Sequence, residues 1–100
     1  MVDLNPTKGS EITKTRPCVI IGIDPINKAR RTVVIIPLSS QGKERPPLAI
    51  SVKCMKKKVI AVCDQIRAID KSRVHEFADE LSDEDMEKIS LGLGKVIGLY

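Results

Sequence analysis

Through the first two thirds of the chain, apolar residues come in short, β-branched runs bounded by turn formers. Residues 17–24, PCVIIGID, and 32–40, TVVIIPLSS, read as strands. Between them DPINKARR combines Asp-Pro, Asn and three cations, and predicts a solvated hairpin loop. LAISVKC alternates apolar with small or polar positions, and VIAVCDQI is another apolar run, with the cationic MKKK as the turn joining them. SQGKERPP predicts a flexible basic loop between the second and third strands. Four strands in about fifty residues, with little helix, predict a meander closing into a small antiparallel barrel or strongly curved sheet.

The last twenty residues follow a different period. Met86, Ile89, Leu93, Val96 and Ile97 form one helical apolar stripe. Ser82 precedes Asp83, Glu84 and Asp85, a capping-box pattern with Asp85 standing in for the usual Glu, and the acids suit a helix N-terminus. Leu81 and Met86 occupy staple positions, and Gly92 and Gly94 weaken the helix or let it pack closely. A C-terminal helix docked on the barrel follows.

Composition narrows this picture. One hundred residues support a single domain, taken as residues 1–100, and with no Trp, one Phe and one Tyr its core must be aliphatic. Cys18, Cys54 and Cys63 are odd in number and lack a CxxC spacing, and His75 has no ligand companions, so neither a disulfide framework nor a zinc site is expected. Reduced thiols, no secretory signal and no apolar run long enough to span a bilayer point to the cytoplasm and away from membranes. Residues 1–74 carry 15 Lys+Arg against 6 Asp+Glu, a balance of +9, and residues 75–100 carry 2 against 7, a balance of −5. A basic body with an acidic terminal helix suits a polyanionic partner.

Arg16 stands directly before Pro17 and a buried-looking run. Proline favours an extended Arg16, at the threshold of the strand. If the first two strands pair with Ile23 opposite Thr32, facing residues sum to 55 and Arg16 faces Ser39, with about 5 Å between Cβ atoms on one face. A slip of one residue would separate them to opposite faces. A guanidinium fork and a hydroxyl suit a phosphate. If that phosphate belongs to RNA, the neighbouring ribose hydroxyl can attack it, and no metal or protein nucleophile is required. The general base is left open among a carboxylate, another hydroxyl and water.

NPTKGSEITKTRPCVIIG, RTVVIIPLSSQ, PPLAISV, VCDQIRAIDKSRV and LSDEDMEKI, in that order, resemble the MazF/PemK/Kid toxins of type II toxin–antitoxin systems over nearly the whole chain. The resemblance implies a mainly β fold, a small SH3-like barrel with a C-terminal α-helix. It implies a cytoplasmic homodimer that cleaves single-stranded RNA at short sequences without metal or other cofactor. It also implies a cognate MazE-like antitoxin whose flexible segment occupies the RNA groove. Arg16 matches the family's catalytic arginine, and Ser39 falls where a threonine is more usual. Glu11 matches an acidic residue near the site in some members. Lys8, Ser40 and Gln41 lie on or beside loops flanking the RNA groove. Asp64, with Gln65 beside it, matches an aspartate that one branch uses in catalysis, although Val62 replaces the arginine found two positions earlier in that branch.

Relative to the family the N-terminal lead is short, so the first strand is expected to be reduced, with Val2 and Leu4 left to pack there. That feature favours one alternative, a catalytically impaired module that still binds RNA or antitoxin. The other alternative is a gyrase-inhibiting toxin of the same fold, which relies on a C-terminal tryptophan; this chain ends VIGLY. Lys56, Lys57 and Lys58 are expected to form a solvated turn, and Arg67, Asp70 and Arg73 an ion-paired corner after the fourth strand.

Overall fold

The computed structural model describes residues 2–3, 15–22, 24–75 and 79–99. Strands β1 (Val2–Asp3), β2 (Thr15–Arg16), β3 (Cys18–Ile21) and β4 (Thr32–Ser39) precede β5 (Ala49–Cys54), β6 (Lys57–Val62) and β7 (Arg67–Asp70). Helix α1 (Asp24–Ala29) lies between β3 and β4, and α2 (Asp83–Val96) follows β7. The strands form a curled antiparallel half-barrel with α2 packed on it.

β3 and β4 pair as the sequence predicts: Cys18 faces Pro37, Val19 faces Ile36, Ile20 faces Ile35 and Ile21 faces Val34. The connection between them is not all loop, since its middle forms the short helix α1. Asp-Pro starts that helix well, because proline lacks only an N–H that the first turn leaves unpaired anyway.

Meander connectivity is not what the chain adopts. β4 pairs with β6, through Leu38 opposite Ala61 and Ser39 opposite Ile60, and β5 lies outside β6. The connection of residues 40–48 is long enough to carry the chain past β6 before the β5–β6 hairpin returns it to β4. A tight turn at Met55 and Lys56, both at positive φ, makes that hairpin. β6 then runs into a 3-10 turn at Cys63–Gln65 and on into β7, which pairs with the other half of β4 from Thr32 opposite Asp70 to Ile35 opposite Arg67. The expected ion-paired corner at Arg67–Arg73 is therefore a strand followed by a second 3-10 turn, Lys71–Arg73, whose Ser72 N–H donates to Asp70.

β4 is buried on both faces. Ile36 and Leu38 join Val19, Ile50, Val52, Ala61, Cys63 and Ile89 in the main core beneath α2. Val33 and Ile35 project the other way and meet Ile69, Cys18 and Val74 in a smaller cluster. That two-sided burial explains why TVVIIPLSS reads as a continuous apolar run and not as an alternation.

α2 begins where the acids predict: the Ser82 hydroxyl accepts the Asp85 N–H at 3.1 Å. Ile89 is fully buried, with Met86, Leu93, Val96 and Leu81 packed around it, whereas Ile97 lies past the helix end and is exposed. Gly92 lets the helix approach closely, since a Cβ there would sit 3.1 Å from Ile50 Cγ1 and 3.3 Å from the Pro47 carbonyl oxygen. The outer edge of β5 is covered by side chains. The N–H groups of Ser51, Lys53 and Met55 donate to Glu44, Asp85 and Asp79 at 3.0, 3.0 and 2.7 Å, and Lys88 Nζ donates to the Ser51 carbonyl at 2.8 Å. Those carboxylates occupy the donors that an exposed edge would offer to another chain. Among the described residues no helix is long and apolar enough to cross a membrane.

Candidate active site

Pro17 separates β2 from β3 because it has no N–H to give the ladder. Its carbonyl still accepts the Leu38 N–H at 3.0 Å, so the β3–β4 register continues past Cys18. Pro17 and Leu38 thus form a hydrogen-bonded pair with one bond missing. The next pair in that register is Arg16 with Ser39, of the non-hydrogen-bonded kind in which facing side chains lie closest. On its other side β2 pairs with β1, Val2 opposite Arg16 and Asp3 opposite Thr15. The Arg16 backbone is therefore held between two neighbours. Continued one step past the Pro17–Leu38 bond, the register has Arg16 and Ser39 as its next positions, while the ladder partner of β2 itself is β1.

Arg16 is half-buried, and its Nε is sealed from solvent with no hydrogen-bond partner among the described residues. Leaving a buried donor unpaired costs on the order of 1–3 kcal/mol, and more for a charged group. Among the described residues no carboxylate forms an ion pair with it. The Ser39 hydroxyl both donates to the Gln41 carbonyl at 3.0 Å and accepts the Gln41 N–H at 3.2 Å, closing a small turn that leads into Gly42, at φ +100°. Such a turn holds the hydroxyl in place, while its single proton can rotate to another acceptor.

Cys18 lies on the same face, two residues from Arg16. Burial pushes its thiol up to about 11, against the pull of positive charges that include Arg16 and Arg67. It is a neutral thiol and packs as a small apolar group. Cys54 and Cys63 are buried and free, and burial raises both.

An open cleft of about 370 Å³ begins beside Ser39, lined by Ser40, Gly42, Lys43, Glu44, Lys58 and Ile60. Ile60 faces Ser39 directly, and strand alternation brings Lys58 to the same face. Lys43 and Lys58 are thus cleft residues that the sequence hid. The lysine run looks like a turn, and only the pairing of Ile60 with Ser39 reveals which of the three turns inward. Ser40 lines this cleft, and Gln41 follows it in the turn closed by the Ser39 hydroxyl.

Asp64 and Gln65 sit in the 3-10 turn that fills the gap between the β6 and β7 registers, alongside Ile36 and Pro37 of β4. Asp64 is exposed and Gln65 half-buried. Glu11 and Lys8 lie outside the described residues. No group of three His, Cys, Asp or Glu among the described residues could hold a metal ion.

A family model described as PemK-like, MazF-like toxin of type II toxin–antitoxin system matches residues 1–97. The chain is 31% identical over 105 residues to an "Endoribonuclease MazF" from Staphylococcus saprophyticus, covering 100% of this chain and 88% of that protein. In fold it is similar to a crystal structure of MazF from Deinococcus radiodurans, with a TM-score of 0.84 at 20% identity, covering 97% of this chain and 89% of the other. A mycobacterial endoribonuclease solved in complex with its cognate antitoxin gives a TM-score of 0.81 at 19% identity, covering 99% and 89%. These matches and the half-barrel agree: the chain belongs to the PemK-like, MazF-like toxins of type II toxin–antitoxin systems.

Proposed function

We propose that this chain, a MazF-type endoribonuclease, cleaves single-stranded RNA at short specific sequences by directing a ribose 2′-hydroxyl at the adjacent phosphorus, without a metal ion. The 2′-oxygen forms the new bond to phosphorus and the bond to the 5′-oxygen breaks. The 2′-proton passes to a base and the 5′-oxygen gains a proton. The products are a 2′,3′-cyclic phosphate and a 5′-hydroxyl.

One observation supports this reading: the Arg16 Nε is sealed from solvent without a partner among the described residues, one step along the β3–β4 register from the Pro17–Leu38 bond, and the β4 residue at that step is Ser39, next to the cleft residue Ser40. A non-bridging phosphate oxygen is the acceptor Arg16 lacks. It becomes a better one as charge builds in the transition state, which is where a preorganised donor is worth most. Ser39 orients the same phosphate, exchanging the Gln41 carbonyl for a phosphate oxygen. Glu11 assists proton transfer or orientation. Lys8, Ser40, Gln41, Asp64 and Gln65 contact the flanking nucleotides. The protein acts as a homodimer in the cytoplasm. A MazE-like antitoxin neutralises it, as the antitoxin complexes solved for mycobacterial and Deinococcus relatives suggest.

Arg16→Ala tests the reading. Its cleavage rate on a mixed-sequence RNA is expected to fall about a hundred- to a thousand-fold with RNA binding largely kept. Unchanged cleavage would remove Arg16 from the site. RNA binding by the wild type with no cutting at all would favour the impaired module instead.

A further inference from the structure

At the end of β4 opposite to Ser39, the fold gathers five cations: Lys28, Arg30 and Arg31 before the strand, and Lys71 and Arg73 from the turn after β7. Two local contacts bring them together. The Arg31 carbonyl accepts the Lys71 N–H at 2.9 Å, one step beyond the Thr32–Asp70 pair, and Lys71 Nζ reaches the Lys28 carbonyl at 3.5 Å. Four of the five are exposed and Arg73 is half-buried. Among the described residues none is in an ion pair. Asp70 is the acid in their midst: its carboxylate accepts the Ser72 N–H at 2.9 Å, is held below its usual range by that bond and by the charges of Arg31 and Arg73, and offsets one of the five positive charges. Seven residues of β4 separate this cluster from Ser39, about 23 Å along an extended strand, in a molecule about 30 × 28 × 28 Å across. The cluster is therefore a separate surface near the opposite pole from the cleft.

We propose that Lys28, Arg30, Arg31, Lys71 and Arg73 form a second, sequence-independent binding surface for the phosphate backbone of RNA, away from the scissile bond. Concentrated like charge with little internal compensation raises the local positive potential and draws a polyanion to it. Three of the five are arginines, whose planar forks match phosphate oxygens two at a time. A strand held there gains affinity through counterion release whatever its bases, and its engagement raises the effective concentration of the same chain at the cleft. This inference rests on RNA being the substrate.

The test uses fluorescence anisotropy with 2′-O-methyl RNA, which lacks the attacking hydroxyl, as a pentanucleotide and as a strand of about 30 nucleotides. Arg30→Ala/Arg31→Ala/Lys71→Ala is expected to weaken binding of the long strand about tenfold or more at low salt. It should lower the steepness of the log-affinity against log-salt plot by about 2, at about 0.7 per lost phosphate contact. Pentanucleotide affinity should stay at the wild-type value, and an unchanged thermal midpoint checks the fold. Long-strand affinity and salt dependence equal to wild type would overturn the proposal. So would poly-glutamate binding to the wild type as tightly as RNA of equal charge and losing the same affinity in the variant, which would make the surface a site for acidic protein. The binding readout needs no cleavage. Wild-type protein that fails to cut ordinary RNA would overturn the proposed function and leave the result at this surface separately legible.

Discussion

At the scale of single residues, Arg16 and Ser39 ask for different substitutions. Arg16→Lys keeps the charge but not the fork, and a lysine ammonium cannot span two phosphate oxygens in one plane. Its cleavage rate should fall nearly as far as that of Arg16→Ala, on the order of a hundredfold. Wild-type rates in Arg16→Lys would show that charge alone suffices. At Ser39 the hydroxyl is held by the Gln41 turn. Ser39→Thr keeps that hydroxyl and adds a β-branch that narrows its rotamers, so cleavage should hold or rise, whereas Ser39→Ala should lose it. Equal activity in the two variants would deny the hydroxyl any role. The β3–β4 register, in which facing residues sum to 55, was legible as one of the alternatives the sequence allows, although a loop of that length does not fix it. The unpartnered Nε was not legible, since it depends on what surrounds the side chain once the barrel has curled.

Elements carry the next set of expectations. α2 depends on its cap and on one close approach. Ser82→Ala removes the acceptor for the Asp85 N–H and should cost about 1 kcal/mol in chemical denaturation. Gly92→Ala gains helix propensity of about 1 kcal/mol, but the new methyl would press on Ile50 at 3.1 Å and on backbone at Pro47. Backbone cannot give way as a side-chain tip can, so the variant should melt below wild type. A higher midpoint would mean that helix and sheet separate easily.

The covered edge of β5 predicts a pH dependence. Asp79 is held below its usual range chiefly by the Met55 N–H and also by the Glu80 N–H. With the folded value below the unfolded one, its stabilisation is complete above roughly pH 4. That stabilisation is lost as pH falls through the folded value. Asp79→Ala should therefore lower the urea midpoint at pH 7, by a modest margin since the group is exposed, and the difference from wild type should shrink as pH falls below about 4. A constant difference across that range would contradict the assignment.

Over the whole molecule, legibility followed the range of the interactions. Local signals identified four of the seven strands among the described residues, and the capped helix. What they did not reveal was decided by pairing at a distance. RAID has one buried apolar residue, Ile69, between the exposed Ala68 and Asp70, and it is a strand because β4 offers it a partner edge. β5 lies outside β6 because a nine-residue connection permits it, and no residue in that connection announces the crossing. The +9 balance of the first 74 residues was legible as a total, but its partition into Lys43 and Lys58 at the cleft and the five-cation cluster at the far end required the fold.

The central claim is that Arg16 and Ser39 act on one phosphate that is attacked by its own ribose. It is tested most directly by cutting a defined RNA in EDTA and mapping the fragment ends, beside the same RNA carrying a single deoxyribose at the cut position. The account predicts 2′,3′-cyclic phosphate and 5′-hydroxyl ends from the first and no cut at that position in the second. Ends bearing a 5′-phosphate, or cleavage of the deoxy-substituted bond, would contradict it.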